Sequence, residues 1–540
     1  MMKKLILICL ITGVVTGWSC KNTSDSFRTI SPEVLKDKIA GGWAGKMIGV
    51  TYGAPTEFKA QGKTFKDTIR WVPADIRGSI WQDDLYVQLT FLMTMDQYGV
   101  DAPAKKFQEM FAKAGYQLWH ANVQARKNYY DSIFPPASGN PIYNFHADDI
   151  DFQIEADYIG FMCPGMPQQV LTLCDKIGHI MNYGDGVYGG IFVAALYAEA
   201  FLENDINLII DAALKSIPAE SDYAGIVRDV ILLHNHYPTD WTAAWKELEA
   251  KWGDVDICGA GSTFNIDAKL NGAYIVMGLL YGKGDPVKTL EISTRCGQDS
   301  DCNPSNALAV LGVIKGFSNL PVDMKNGITA IGDSTFTNTN YTFNKAVEST
   351  YAYALDFIKK DGGAIADNEI KIKVQAPVAP PLEVAFPNLV FDHRISVFDA
   401  SSWKFKGEWQ TFNTQSWGQK SHKDQSKFAE KAGDEVALTF NGTGITLMGN
   451  WVKDGGKADV YLDGELHSTV DSYFFRSNQE HADINLWHAF NLQPGDHTVK
   501  LVIKGEKRPE SIGTRLYISE ALVFKTAPKN NIDFKFSFEQ

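Results

Sequence analysis

No CxxC pair occurs in this sequence, and only five of its seven cysteines lie beyond position 20. An odd set cannot pair completely. Its scatter through apolar segments points to buried free thiols, and a structural zinc site is not expected. Clusters of basic residues are also missing. With 51 Lys and Arg against 64 Asp and Glu the chain carries a net charge of -13, which argues against a nucleic-acid backbone as partner. Sugars, cations and small neutral ligands remain compatible. There is no phosphate-binding P-loop, no dinucleotide fingerprint and no serine or cysteine nucleophile signature. At 540 residues the chain is too long for one ordinary core, so two domains are expected.

What is present begins with a targeting segment at residues 1–20. Lys3 and Lys4 precede an apolar run, Leu5 to Val15, too short for a comfortable membrane span. Its end, "TGWSC", resembles a bacterial lipoprotein signal with Cys20 as the lipid-bearing residue, and a plain secretory signal is the alternative. Either form implies export, with the membrane reached only through a lipid anchor.

Residues 31–373 read as an all-α domain. Ser31-Pro32-Glu33 is a helix start, and "VYGGIFVAALYAEAFLEN", "NGAYIVMGLLYG" and "NPSNALAVLGVIKGF" are apolar nearly all round, as central helices are. Residues 374–388 form a proline-rich linker that fits neither helix interior nor central strand. Over residues 389–527 the period changes to two, which predicts an antiparallel β-sandwich, with Asp463-Gly464 as a hairpin turn of the left-handed type. Trp403, Trp409, Trp417, Trp451 and Trp487 there are candidates for stacking on sugar rings or for filling the core.

The helical domain carries paired acids at two helix starts: Asp83-Asp84, and Asp299 with Asp301 just before Pro304. Capping by acids accounts for either pair alone, at about 0.3–1 kcal/mol each. Their occurrence twice, each at the mouth of an apolar helix, points instead to divalent cations with oxygen ligands. "DSDCNPSNALAV" is not an EF-hand, because Pro304 stands where the loop needs glycine and Val310 where it needs glutamate. Glycines 42, 45, 49 and 53 interrupt a helix ahead of Glu57, which requires either close helix contact or a ligand against backbone. In "FHADDIDFQIEADYIGF", the spacing of Ile150, Ile154 and Tyr158 makes Asp148, Asp149, Asp151, Glu155 and Asp157 a solvated face, unless Glu155 or Asp157 turns into a cleft to bind sugar hydroxyls. His179 reads as a satisfied packed histidine, and His234 and His236 as residues capping a helix end.

Taken in order, "GAPTE", a helix opening on Asp-Asp, "YGDG" and Asp299-Ser300-Asp301 resemble the ADP-ribosylglycohydrolase family, which includes the dinitrogenase reductase-activating glycohydrolases. The resemblance spans roughly residues 35 to 360. It implies an all-α fold with a binuclear magnesium or manganese site that hydrolyses the glycosidic bond at an anomeric carbon of ribose. Asp83, Asp84, Asp299 and Asp301 would be metal ligands, with Gln82 and Cys302 standing where the family has threonines. Glu57 matches the glutamate of a mobile loop. Gly184-Asp185-Gly186 matches a loop that approaches substrate phosphates, although Asp185 adds a negative charge there. The β-sandwich resembles galactose-binding-like jelly rolls.

Together these readings describe an exported glycoside hydrolase using two divalent cations, Mg2+ or Mn2+ with Ca2+ as a further option, on a glycan. Asp84 or Asp299 would orient a water, and Glu57 would close over the site or act as the acid. The alternatives are removal of ADP-ribose, and a non-catalytic glycan-binding lipoprotein holding structural calcium.

Overall fold

The computed structural model describes residues 26–254, 256–413, 425–475, 481–527 and 534. Cys20, with the targeting segment, and Trp417 lie outside the described residues.

The expected helix start is observed: the Ser31 hydroxyl accepts a hydrogen bond from Val34 N at 3.2 Å, Pro32 opens the helix, and Pro32–Gly53 follows. Gly45 and Gly49 explain the interrupting glycines. A Cβ on Gly45 would lie 2.5 Å from the Leu308 carbonyl oxygen, and one on Gly49 would strike the backbone of Pro304 and Ser305. Both face the helix Cys302–Lys315, so the two backbones meet directly. Close helix contact, not a ligand, uses those positions. The contact also carries residues 53–57 to the loop that holds Ser300 and Asp301.

Around this pair the helices Asp83–Tyr98, Asp185–Ala200 and Ala268–Gly282 bury most of their residues in one large core. The helical region departs from the expected pattern at its edges. Phe27–Ile30 pairs antiparallel with Ile370–Lys373, which also pairs with Ala364–Ile365. Ile370 and Ile372 alternate into the core, so two-residue periodicity overrides helix at that end.

Beyond the linker two antiparallel sheets face each other. One has the strand order Glu465–Asp471, Lys457–Leu462, Gly495–Ile503, Glu435–Gly442, Trp403–Lys406. The other centres on Leu516–Thr526, flanked by Gly444–Trp451, Gln425–Ala429 and Leu389–Ser396. Asp463 and Gly464 both take positive φ, at 52° and 89°, and join strands paired through Leu462 and Glu465, as the left-handed turn requires. Trp403 and Trp487 fill the core between the sheets, Trp451 is buried against the helical domain with Lys127 over its ring, and Trp409 is half-buried. Core filling, rather than open stacking, accounts for these four.

The domains are tied together. Phe145, Ile257 and Ala260 pack with Leu389, Met448, Leu522 and Phe524. Arg508 reaches Asp131, and His488 Nε2 lies 2.7 Å from the Pro141 carbonyl oxygen. The linker is strapped to the helices: the Gln168 side chain bonds Val378 N, and Tyr188 Oη accepts from Glu383 N at 2.6 Å.

Candidate active site

Two distant segments converge as the acid spacing predicts. Oxygen or sulfur atoms of Asp84, Asp301 and Cys302 lie within 4.8 Å of one another, and so do those of Glu57, Asp299 and Asp301. Asp301 belongs to both groups. Asp83, beside Asp84 at the same helix start, lies in the field of Asp84 and Asp301. Gln82 occupies the N-cap position but its side chain makes no cap bond.

The loops that present these acids are pinned. Asn271 Oδ1 accepts from Asp299 N at 3.3 Å and from Asn303 Nδ2 at 3.0 Å. Thr56 Oγ1 and Ser300 Oγ are 2.7 Å apart, Phe58 N donates to Gln298 O, and Gln298 N donates to Ala60 O. The segment carrying Glu57 is therefore zipped onto the segment carrying Asp299 and Asp301, while Glu57 itself is exposed at the mouth.

One member of the site escapes the spacing argument. Lys46 is fully buried, with Nζ 2.9 Å from Asp84 Oδ1, 3.1 Å from Asp157 Oδ2 and 2.9 Å from the Ile154 carbonyl oxygen. Burial lowers a lysine pKa, but Asp157 and Asp84 outweigh it and hold the ammonium charged. The available signal is a single lysine within the buried, glycine-rich run of residues 41–51.

The remaining acids crowd one another. Burial first, then Asp84 and Asp301, push Asp83 up to about 8. Burial first, then Asp84, pushes Asp301 up to about 6, and burial with Asp301 raises Asp299 well above the carboxylate range. The Asp301 carboxylate first raises Glu57, to about 9. Asp301 Oδ1 is buried without a hydrogen-bond partner. A buried oxygen with no donor, amid mutually repelling carboxylates, fits a hard divalent cation of the magnesium, manganese or calcium kind. Cys302 stands in the same donor group, as a softer atom beside the carboxylates. With no ion bound, its thiol donates to Asp84 Oδ2 at 3.1 Å, and burial pushes its pKa well up.

Several expectations need correction. Asp148, Asp149, Asp151, Glu155 and Asp157 form no solvated face, because all five are buried and each has a partner. Asp148 pairs with Lys269, while Asp151 accepts from the Ala121 and Asn122 amides. Asp157 meets Lys46, Gln88, Tyr197 and Asn306, which leaves it positioning Lys46 rather than meeting sugar. Glu155 is also enclosed. Its Oε1 accepts from Asn122 Nδ2 at 2.5 Å, and its Oε2 has no partner.

Gly184, Asp185 and Gly186 do not line an open substrate loop. Gly184 has φ +55°, a conformation favouring glycine, and a Cβ there would lie 3.0 Å from the Glu383 carbonyl oxygen of the linker. Asp185 accepts from Tyr223 N at 3.1 Å, and Gly186 packs on Ala147 and Asn182. His179 is satisfied, with Nε2 3.1 Å from Glu383 Oε2. His234 packs edge-on against Tyr281 in the last helical turn, which His236 ends.

The family model described as ADP-ribosylglycohydrolase matches residues 31–350, more than half the chain. A curated relative from Flavonifractor plautii, "A type blood alpha-D-galactosamine galactosaminidase", is 30% identical over 100 residues. That stretch is 18% of this chain and only 8% of the relative. Among solved structures, an ADP-ribosylglycohydrolase-related protein complex is 14% identical, covering 60% of this chain and 99% of its own, with a TM-score of 0.42. A carbohydrate-binding module of family 36, in complex with calcium and xylotriose, is 14% identical over 25% of this chain and all of its own, with a TM-score of 0.16.

Proposed function

The chain belongs to the ADP-ribosylglycohydrolase family, and on that premise we propose an exported, divalent-cation-dependent glycoside hydrolase acting on a glycan. The carrying observation is the shared Asp301, which links Asp84 on one side with Glu57 and Asp299 on the other. Asp83, Asp84, Asp299 and Asp301 are the residues to hold two cations, Mg2+ or Mn2+, and Cys20 is the residue to carry a lipid anchor. When bound, such cations supply charge neutralisation and Lewis-acid polarisation of substrate oxygens.

The chain's own groups have separable tasks in this reading. Lys46 holds the Asp84 carboxylate in place, with Nζ 2.9 Å from Oδ1. Asp299, oriented through Asn271, accepts the proton of the attacking water. Glu57 stands at the mouth, where a leaving-group oxygen arrives, and delivers a proton.

A glycan is favoured over ADP-ribose because the linker covers Gly184 and the carboxylate of Asp185 opposes a diphosphate. The galactosaminidase relative directs the first screen to α-galactosaminides. Hydrolysis of a glycoside panel with and without Mn2+ tests the proposal. Asp83→Asn and Asp301→Asn are expected to lower turnover at least about 100-fold. Unchanged turnover in both overturns it. Release of free ADP-ribose from modified protein supports the second activity instead, and chelator-sensitive melting without any cleavage supports a binding protein.

A further inference from the structure

We propose that His120, His146, Asp149 and Cys258 form a second metal site, for a divalent ion of the zinc class, separate from the carboxylate cluster. One donor atom from each residue lies within 4.8 Å of all the others. The donors come from three stretches far apart in sequence. His120 opens the helix His120–Tyr130, His146 and Asp149 precede the helix Asp151–Glu155, and Cys258 follows the helix Trp241–Trp252.

Asp149 is fully buried at the centre. Its Oδ2 is 2.8 Å from His146 Nδ1 and 3.5 Å from His120 Nδ1, and Cys258 Sγ is 3.2 Å from both carboxylate oxygens. Among the described residues no lysine or arginine pairs with Asp149. Lys269 is taken by Asp267 at 2.6 Å and Asp148 at 3.2 Å. Burying a carboxylate among neutral partners costs several kcal/mol, and a divalent ion at this point removes that cost.

The donor chemistry selects the ion. Two imidazoles, a carboxylate and a sulfur suit tetrahedral zinc, whereas the carboxylate cluster suits hard cations. The His120 and His146 side chains keep 27% and 17% exposure, so an ion could enter from solvent. The site also adjoins the cleft. Phe264 stacks on His120 at 5.7 Å and packs on Phe58, the neighbour of Glu57, at 4.9 Å. An ion here would clamp three segments beside the mouth of the catalytic cluster. Its ligands lack CxxC spacing, which is why the cysteine pattern gives no sign of it.

Cobalt loading of the full chain tests the site. The protein is stripped with a chelator, reloaded with Co2+, and read by absorption and by metal content. A thiolate-to-cobalt charge-transfer band is expected in the unaltered chain and in Cys302→Ser, and its loss in Cys258→Ser. His146→Ala and His120→Gln should each bind about one cobalt fewer per chain, whereas Asp301→Asn should keep this ion. Absence of the band in the unaltered chain overturns the proposal and leaves a metal-free His–Asp proton-sharing group. So does a band that disappears with Cys302 and survives loss of Cys258.

Discussion

Negative charge is handled differently at the two ends of the acidic site. At one end Asp84 and Asp157 close on Lys46, a cation the chain itself supplies and buries completely. At the other, Asp299, Asp301 and Glu57 face one another, and no lysine or arginine among the described residues pairs with them. A built-in ammonium makes a permanent joint between helices. Carboxylates with no cation of the chain's own beside them make a site whose charge can change, which is what the proposed exchangeable cation requires.

The largest expected effect breaks the permanent end. Lys46→Met leaves Asp84 and Asp157 buried without their cation, and removing one partner of a buried pair costs about 3–5 kcal/mol. Urea denaturation should show a loss of that order, with or without Mn2+. A loss below about 1 kcal/mol would mean the ion pair is incidental.

The second effect separates the ends by sign. Asp301→Asn removes a charge from the repelling group, so in chelator the variant should melt higher than the unaltered chain. With saturating Mn2+ the order should reverse, alongside the fall of at least about 100-fold in turnover. A variant that melts lower under both conditions would place Asp301 in structure alone.

Much of this comparison was legible in the residues, and the unreadable part has a physical cause. Asp83-Asp84 and Asp299-x-Asp301 stand out because acids at the mouth of buried helices exceed what capping needs. Lys46 is not legible in the sequence, because periodicity assigns a face but not the identity of a buried partner, and Asp157 lies 111 positions away. The Asp148–Asp157 run departs from its expected solvated face for a related reason. Ile150, Ile154 and Tyr158 at helical spacing imply one wet face opposite, but Asn122, Lys269 and Lys46 arrive from other elements to satisfy the acids. The linker was evident from its prolines, whereas its seat over Gly184 depends on tertiary packing alone.

A smaller effect tests how the ends are brought into register. Gly49→Ala sets a methyl against the backbone of Pro304 and Ser305, and such overpacking costs about 1–3 kcal/mol. Forcing these helices apart should weaken Mn2+ binding by calorimetry while leaving the β-sandwich unaffected. Stability and affinity unchanged from the parent would show that the close approach does not set the site.

The smallest effect is a slope with pH, and it distinguishes the two ends without a mutation. Asp301 and Asp83 have folded-state values raised to about 6 and about 8. The folded state therefore favours their protonated forms. Their contribution is fully present below the ordinary carboxylate range and is lost as pH rises through those raised values. Lys46 is raised as well, so its contribution holds throughout that window and fades only in strong alkali. Chelated protein should thus lose melting temperature steadily from about pH 5 to pH 9, while the stabilisation added by Mn2+ grows over the same interval, because the cation needs ionised ligands. In Asp301→Asn the Mn2+ increment should become shallower, since one of its titrating ligands is gone. A Mn2+ increment that stays constant from acid to alkali would show that these carboxylates do not hold the ion.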